Sequence, residues 1–437
     1  MANITPFIGL RYNNEKVNNL TAVVTPPYDI IDEKEQARYY AEHPANIIRL
    51  ELGLVFPDDD ESNNRYTRAH QYLERWIEDE ILSYESKPAL YLYQQEFKAH
   101  DTSMVRNGFI CGLKVEDYAQ GNILPHEETL SKPKADRLQL MRATQSNFSS
   151  IFGLYSDTEN VVQKALFNAV EVTEPDIEIY DEVNEAHRIW AVTNEEAIQT
   201  IVNFMQDQQI FIADGHHRYE TALEYAREMK AAGHEGYDYV MTTLVNMFDP
   251  GLVILPTHRM VGDLQDLNLQ ALREQLEAFF NVRPFGSKEQ LPDLLTEMTK
   301  PWQEKHLFGM YDQTGHLYLL ELKDAEAARN QLPTDRSDAW KGLDVAVLDN
   351  LILDHILGIG AAERREQKNV EYTKDAREAL TRVDQGDHQL AFILNPTRID
   401  EIIAVARAGD KMPQKATYFY PKLLTGLVIN PLYKNLP

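Results

Sequence analysis

The spacing of apolar positions changes character several times along the 437-residue chain. Between residues 65 and 82 large side chains return every three or four positions, at Tyr66, Ala69, Leu73, Trp76 and Ile77, which predicts an amphipathic helix. The period then shortens. Residues 88–97 (PALYLYQQEF) and 107–118 (NGFICGLKVEDY) are rich in aromatic and branched side chains and predict a β-hairpin around AHDTSMVR. Two more strands are predicted at 177–183 and 187–193, and Asn194 is placed to cap a helix over 195–206. A short apolar run at 210–214 (IFIAD) leads into a helical stretch, 218–233, that Gly233 can close, and 237–247 and 251–261 read as core strands.

Beyond residue 261 the pattern starts afresh. It predicts a helix over 267–280, a hairpin over 306–322 turning at Gln313–Gly315, an amphipathic helix over 343–359, and a strand then a helix over 388–409. There is no internal repeat. Hairpins and helices are mixed rather than alternating as strand–helix–strand units, so the expected class is α+β. The shifts in pattern divide the chain into an N-terminal segment 1–85, a central core 86–261 and a C-terminal α+β domain 262–437.

Charge narrows the choice of partners. Lys and Arg number 43 against 69 Asp and Glu, a formal charge of −26, so the average surface repels nucleic acid and anionic membranes. An anionic ligand must therefore be met by a local cluster of positive groups. The single cysteine, Cys111, sits in an apolar run, which leaves no intramolecular disulfide and no cysteine-based zinc site. The first residues lack a secretory pattern and no apolar stretch approaches the ~18 residues of a membrane span, so a cytoplasmic protein is expected. Homo-oligomerisation stays open.

Costly residue types crowd together in IADGHHRYETAL, residues 212–223. A strand ending at Asp214 and a helix starting near His217 would leave backbone amides and the positive end of the helix dipole facing outward. Gly215 permits a sharp turn, Arg218 can fork onto phosphate oxygens, and His216 and His217 can add donors. The alternative is structural: Asp214 as a helix cap and Arg218 as an ion-pair partner. Neighbouring helical side chains point about 100° apart, so His216 and His217 would rarely share a metal ion, and no metal site is assigned. A second crowded stretch, 124–144, sets His126 and Glu127 after a proline and adds Lys132, Lys134, Arg137 and Arg142. A third, 408–431, brings Lys415 and Lys422 among Tyr418, Phe419 and Tyr420, and near the start Pro26, Pro27 and Tyr28 stiffen a turn after which Asp29 is placed to cap a helix starting near Asp32.

Taken together, PFIGLRY, PPYDII, LPHEETL, ADRLQLMRAT, ADGHHRYETAL and MPQKATYFYPKLLTGLVI resemble the family known as domain of unknown function 1015. The central motif is also similar to the nucleotide-binding turn of the ParB/sulfiredoxin-like fold, in the form found in kinases of free serine. That resemblance implies a mixed-sheet central core and phosphate contacts from Asp214, Gly215, His216 and Arg218. It also implies an upstream glutamate base, for which Glu127 is the candidate. The implied activity is a nucleotide-dependent phosphotransferase acting on a small hydroxyl metabolite, with ATP or ADP and Mg2+. Catalytic candidates are His126, Glu127 and Asp214, and binding candidates are Gly215, His216, His217, Arg218, Arg137 and Lys415. A nucleotide sensor without turnover and a metal-dependent hydrolase are the alternatives. Sulfiredoxin chemistry is disfavoured because Cys111 is not beside the motif, and DNA partition because no basic helix-turn-helix follows it.

Overall fold

The computed structural model describes residues 2–99, 102–127, 131–300 and 305–435, so Glu128–Leu130 of the second motif lie outside the described residues, as does the side chain of Lys132. The chain divides into two compact units: residues 1–125, 129–253 and 421–437 form the first, and 126–128 with 254–420 form the second. Each is described by itself.

The first unit is built on a nine-stranded mixed sheet. Its centre is the hairpin Leu90–Ala99 and Thr102–Lys114, paired antiparallel from Ala99–Thr102 to Tyr91–Ile110. Both strands run into the segment that the sequence reads as their connection. Tyr239–Asn246 pairs antiparallel with Thr102–Lys114 and parallel with Ile151–Tyr155; then come Ile210–Asp214 and Ile123–Leu124. On the other flank lie Ala186–Val192 and Ile177–Tyr180, both antiparallel. Strands with partners on both sides carry near-continuous apolar runs, as burial of both faces requires: Ile151, Phe152, Leu154 and Tyr155 are at most 3 % exposed.

Helices form where the sequence marks their ends. Asn194 accepts a hydrogen bond from Ala197 N to start Glu195–Met205, a cap that contributes ~1 kcal/mol. The helix His216–Ala231 closes in a Schellman pattern: Gly233 takes φ +86°, its N–H bonds Lys230 O, and His234 N bonds Met229 O. Arg65–Glu78 begins on an Asn64 capping box, and Asp32 and Glu35, rather than Asp29, box the start of Glu33–Glu42. Cys111 is fully buried.

The second unit holds a six-stranded antiparallel sheet, ordered Phe280–Gly286, Leu317–Leu322, Leu307–Asp312, Leu390–Ile393, His258–Val261 and Val370–Thr373. Its helices Leu291–Thr299 and Ala376–Asp384 bury Leu294, Met298, Ala379 and Leu380 in one core cluster with Ile393 and Leu307. The expected strand over 251–261 is interrupted at Pro256, which has no N–H for a ladder, giving Val253–Leu255 and His258–Val261 in separate sheets. The expected helix over 343–359 starts as a single α-turn, Asp344–Val347, and widens into a π-helix over Leu348–Ile356. The α+β class and the mixed sheet agree with the expectation from sequence. No helix among the described residues is long and apolar enough to cross a membrane.

Candidate functional site

The motif strand is buried from Ile210 to Ala213. Its register against Ile151–Tyr155 slips by one residue between Ile212 and Asp214. A bulge of this kind adds one residue to one strand and re-aims the side chains beyond it, and Asp214 leaves the sheet with its side chain 20 % exposed. Gly215 turns the chain at φ +91°, a left-handed conformation that L side chains adopt at a cost. The first intrahelical bond is Tyr219 N to Gly215 O, so the amides of the first turn precede the helical ladder and face its N-terminal end. Gly215 stands at the N-cap position and has no side chain with which to cap the helix.

Asp214 is occupied elsewhere: its Oδ2 accepts a 2.7 Å hydrogen bond from Lys422 Nζ, 208 residues away in sequence. Burial alone would raise the Asp214 pKa, but Lys422, Arg218 and His216 outweigh it, and the carboxyl titrates well below the ordinary range. The lysine is placed by the sheet. Arg106, fully buried, donates through Nη2 to Pro421 O at 2.6 Å, and Gln95 Nε2 donates to Lys422 O at 3.1 Å. Sequence reasoning noted Lys422 beside Lys415; within the first unit it is Lys422 that reaches the motif.

Arg218 is 9 % exposed and donates through Nη1 to Ser150 O at 2.6 Å. Its guanidinium folds over Gly215, where a Cβ would lie 3.0 Å from Nη2. A side chain at Gly215 would thus press on the guanidinium as well as strain the φ. His216 is buried and His217 half-buried; burial foremost lowers the His217 pKa, with Glu220 and Asp29 opposing, so this imidazole is neutral near pH 7.

Arg137 belongs to the same unit, on the helix Ser131–Thr144, which runs parallel to the motif helix: Lys134 pairs with Glu220 at 2.8 Å and Arg142 with Glu228. Arg137 is 6 % exposed, donates to Glu51 O at 2.8 Å and to Asp136 Oδ2 at 2.9 Å, and stacks 4.1 Å from the Tyr28 ring centre. Glu51 is itself buried and accepts from Ser149 Oγ at 2.8 Å. Burial drives the Tyr28 hydroxyl up to about 12 against the pull of Arg218 and Arg137. Arg137 and Arg218 share a cavity of about 40 Å³, space for a water molecule or two and not for a nucleotide. The partly exposed groups around the turn are Lys422 and Asp214, with 18 % and 20 % of their side chains in solvent, and the half-buried His217. A larger cleft of about 870 Å³ runs beside the second half of the motif helix, along Leu223, Ala226, Arg227 and Lys230, and none of residues 214–218 lines it.

The remaining candidates belong to the second unit. His126 is 2 % exposed, its Nε2 lies 3.2 Å from Thr417 Oγ1, and its ring meets Phe419 edge-on. Glu127 is half-buried. Lys415 is exposed in a turn at φ +55°, and its carbonyl accepts from Arg259 Nη1 at 3.3 Å. Thus the structure brings Asp214–Arg218 together with Arg137 and Lys422 in one unit and assigns His126, Glu127 and Lys415 to the other.

These features define an α+β protein whose main sheet ends in a strand–glycine–helix turn crowded with fixed charge. The chain belongs to the family described as protein of unknown function, DUF1015, whose model matches residues 4–346. No curated protein matches it. Solved structures that it resembles include a conserved hypothetical protein from Pyrococcus furiosus, with 10% identity, 75% of this chain and 97% of that one covered, and a TM-score of 0.35. A free serine kinase in complex with AMP gives 11%, 73%, 92% and 0.35. SbnI with a C-terminal truncation from Staphylococcus aureus gives 11%, 74%, 87% and 0.35. Likeness at that level assigns neither ligand nor activity to this chain.

Proposed function

We propose that the turn Asp214–Arg218 binds the phosphates of a nucleotide, ATP or ADP, and that the protein transfers a phosphoryl group to a small hydroxyl-bearing metabolite such as a free amino acid. One observation carries the reading: in a chain of net charge −26, Arg218 and Lys422 are held at the N-terminus, the positive dipole end, of a 16-residue helix. Fixed cations and oriented amides stabilise phosphate oxygens without having to reorganise. Phosphoryl transfer asks mainly for such positioning. The resemblance of ADGHHRYETAL to the kinase form of the turn supports the same reading.

Mg2+ is a poorer match to the turn. Within residues 214–218 the only carboxylate is Asp214, and Lys422 already engages it, so no step is derived through the metal. For the same reason Asp214 is a positioning group rather than a base. On its own, the first unit supports binding more directly than turnover, which favours a nucleotide sensor as the second reading.

Thermal shift of the full chain against ATP, ADP, CTP and GTP, followed by product analysis with a pool of hydroxyl metabolites, tests both. A nucleotide at a hundred times its Kd stabilises the folded state by ~2.7 kcal/mol. Arg218→Ala and Lys422→Ala are expected to weaken binding at least tenfold. Stabilisation without product under any pairing selects the sensor, and no stabilisation by any nucleotide overturns both readings.

A further inference from the structure

A second cluster of costly residues lies at the opposite flank of the first unit's sheet, in the hairpin joining Ile177–Tyr180 to Ala186–Val192. The sequence there, DEVNEAH, folds as a three-residue loop. Asp181 N bonds Glu185 O, Asn184 N bonds Asp181 O, and Asn184 takes φ +63°, the geometry of a turn followed by a left-handed residue. Asp181 Oδ1 accepts from the amides of Val183 at 3.0 Å and Glu185 at 2.8 Å. Its other oxygen lies 3.5 Å from His187 Nε2. Glu185 is 5 % exposed and His187 is fully buried.

We propose that Asp181, Glu185 and His187 form a binding site for a divalent first-row transition ion, of the Zn2+ or Mn2+ class. One carboxylate oxygen from each acid and one ring nitrogen lie within 4.8 Å of one another. An ion equidistant from three such atoms is at most ~2.8 Å from each, so closing to bonds of 2.0–2.2 Å takes shifts of ~0.7 Å. An independent observation concerns His187. Its Nε2 is buried and makes no hydrogen bond, an arrangement that costs free energy unless something fills the position. Its Nδ1 is 2.8 Å from the Tyr93 hydroxyl, the outer contact that fixes ring orientation in metal-ligating histidines.

The donor set selects the ion. One nitrogen and two carboxylates without thiolate suit Zn2+, Mn2+ or Fe2+ better than Ca2+ or Mg2+, which favour oxygen alone. Entry is from the loop tip, where Val183 is 70 % exposed and Asp181 keeps 18 % of its side chain in solvent. The site would clip the hairpin shut. Through Tyr93, whose hydroxyl also accepts from Leu424 N at 3.4 Å, it would tie down the segment that carries Lys422. The inference stands apart from the nucleotide reading and survives if that reading fails.

The test uses the full chain stripped with chelator and titrated with Zn2+, Mn2+, Mg2+ or Ca2+ by calorimetry and thermal shift, with Co2+ absorption as a direct view of the ligands. Other histidines also bind Zn2+ weakly, so the comparison is with variants. One equivalent of Zn2+ or Mn2+ is expected in wild type, weakened a hundredfold or more in His187→Gln and Asp181→Asn. Tyr93→Phe is expected to lose about tenfold, the usual size of an outer-contact effect. Asp181→Asn keeps the shape of the loop and guards against a His187 variant that fails to fold. Equal Zn2+ binding in wild type and His187→Gln, an equal response to Mg2+ and Zn2+, or unchanged affinity in Glu185→Gln would each overturn the site.

Discussion

At the scale of single residues, Gly215 meets two demands that no other side chain meets together, a φ of +91° and room for the Arg218 guanidinium 3.0 Å from where a Cβ would stand. Gly215→Ala is expected to lose ~1–3 kcal/mol in chemical denaturation and to weaken nucleotide binding by displacing Arg218. Lys422 offers a sharper probe. It helps hold the Asp214 pKa below the ordinary range, and a depressed carboxyl contributes stability that is complete above its unfolded value and is lost as pH falls through its folded one. Lys422→Met is therefore expected to be less stable than wild type at pH 7, by urea denaturation, with a gap that narrows below about pH 4. Glu51 bonds Ser149 and pairs with Arg137 at 3.2 Å while 3 % exposed. Glu51→Ala leaves a buried arginine short of a partner and is expected to cost ~3–5 kcal/mol.

Elements were legible wherever the local pattern decides them. The caps at Asn194 and Gly233, the hairpin 307–322 and the strand–glycine–helix joint are all set by neighbouring residues. What a motif residue touches is not written beside it. Ser150 and Lys422 reach Arg218 and Asp214 because sheet register and a returning segment bring them there, across 68 and 208 residues. The three acids and bases of the 181–187 hairpin sit close in sequence, but their convergence depends on Asn184 turning left-handed, which spacing alone does not reveal. Element boundaries also carry a titration. His258, at the start of its strand, has its pKa pulled to about 3 chiefly by burial and then by Arg259, and its Nδ1 accepts from Leu394 N. The unfolded chain takes up a proton that the folded one refuses, so stability falls as pH drops below about 6.5. In His258→Asn, which keeps an acceptor, the acid limb of a stability–pH curve is expected to flatten.

On the scale of the whole molecule, the first unit is completed by chain that returns after the second. Leu10 pairs with Ile429, Thr25 with Thr425, Asn147 with Asn430, and Ile8 N bonds Asn435 Oδ1 at 2.7 Å. Truncation after Tyr420 is expected to lower the melting temperature of the first unit and to expose its amides to hydrogen exchange, while the antiparallel sheet of the second unit keeps its own protection. Order of synthesis sharpens the point. A ribosome working at 5–20 residues per second takes roughly ten to thirty seconds to traverse residues 254–420, and throughout that interval Asp214 waits for its lysine. A nascent chain thus holds the turn at Asp214 half-built for far longer than a small domain needs to collapse.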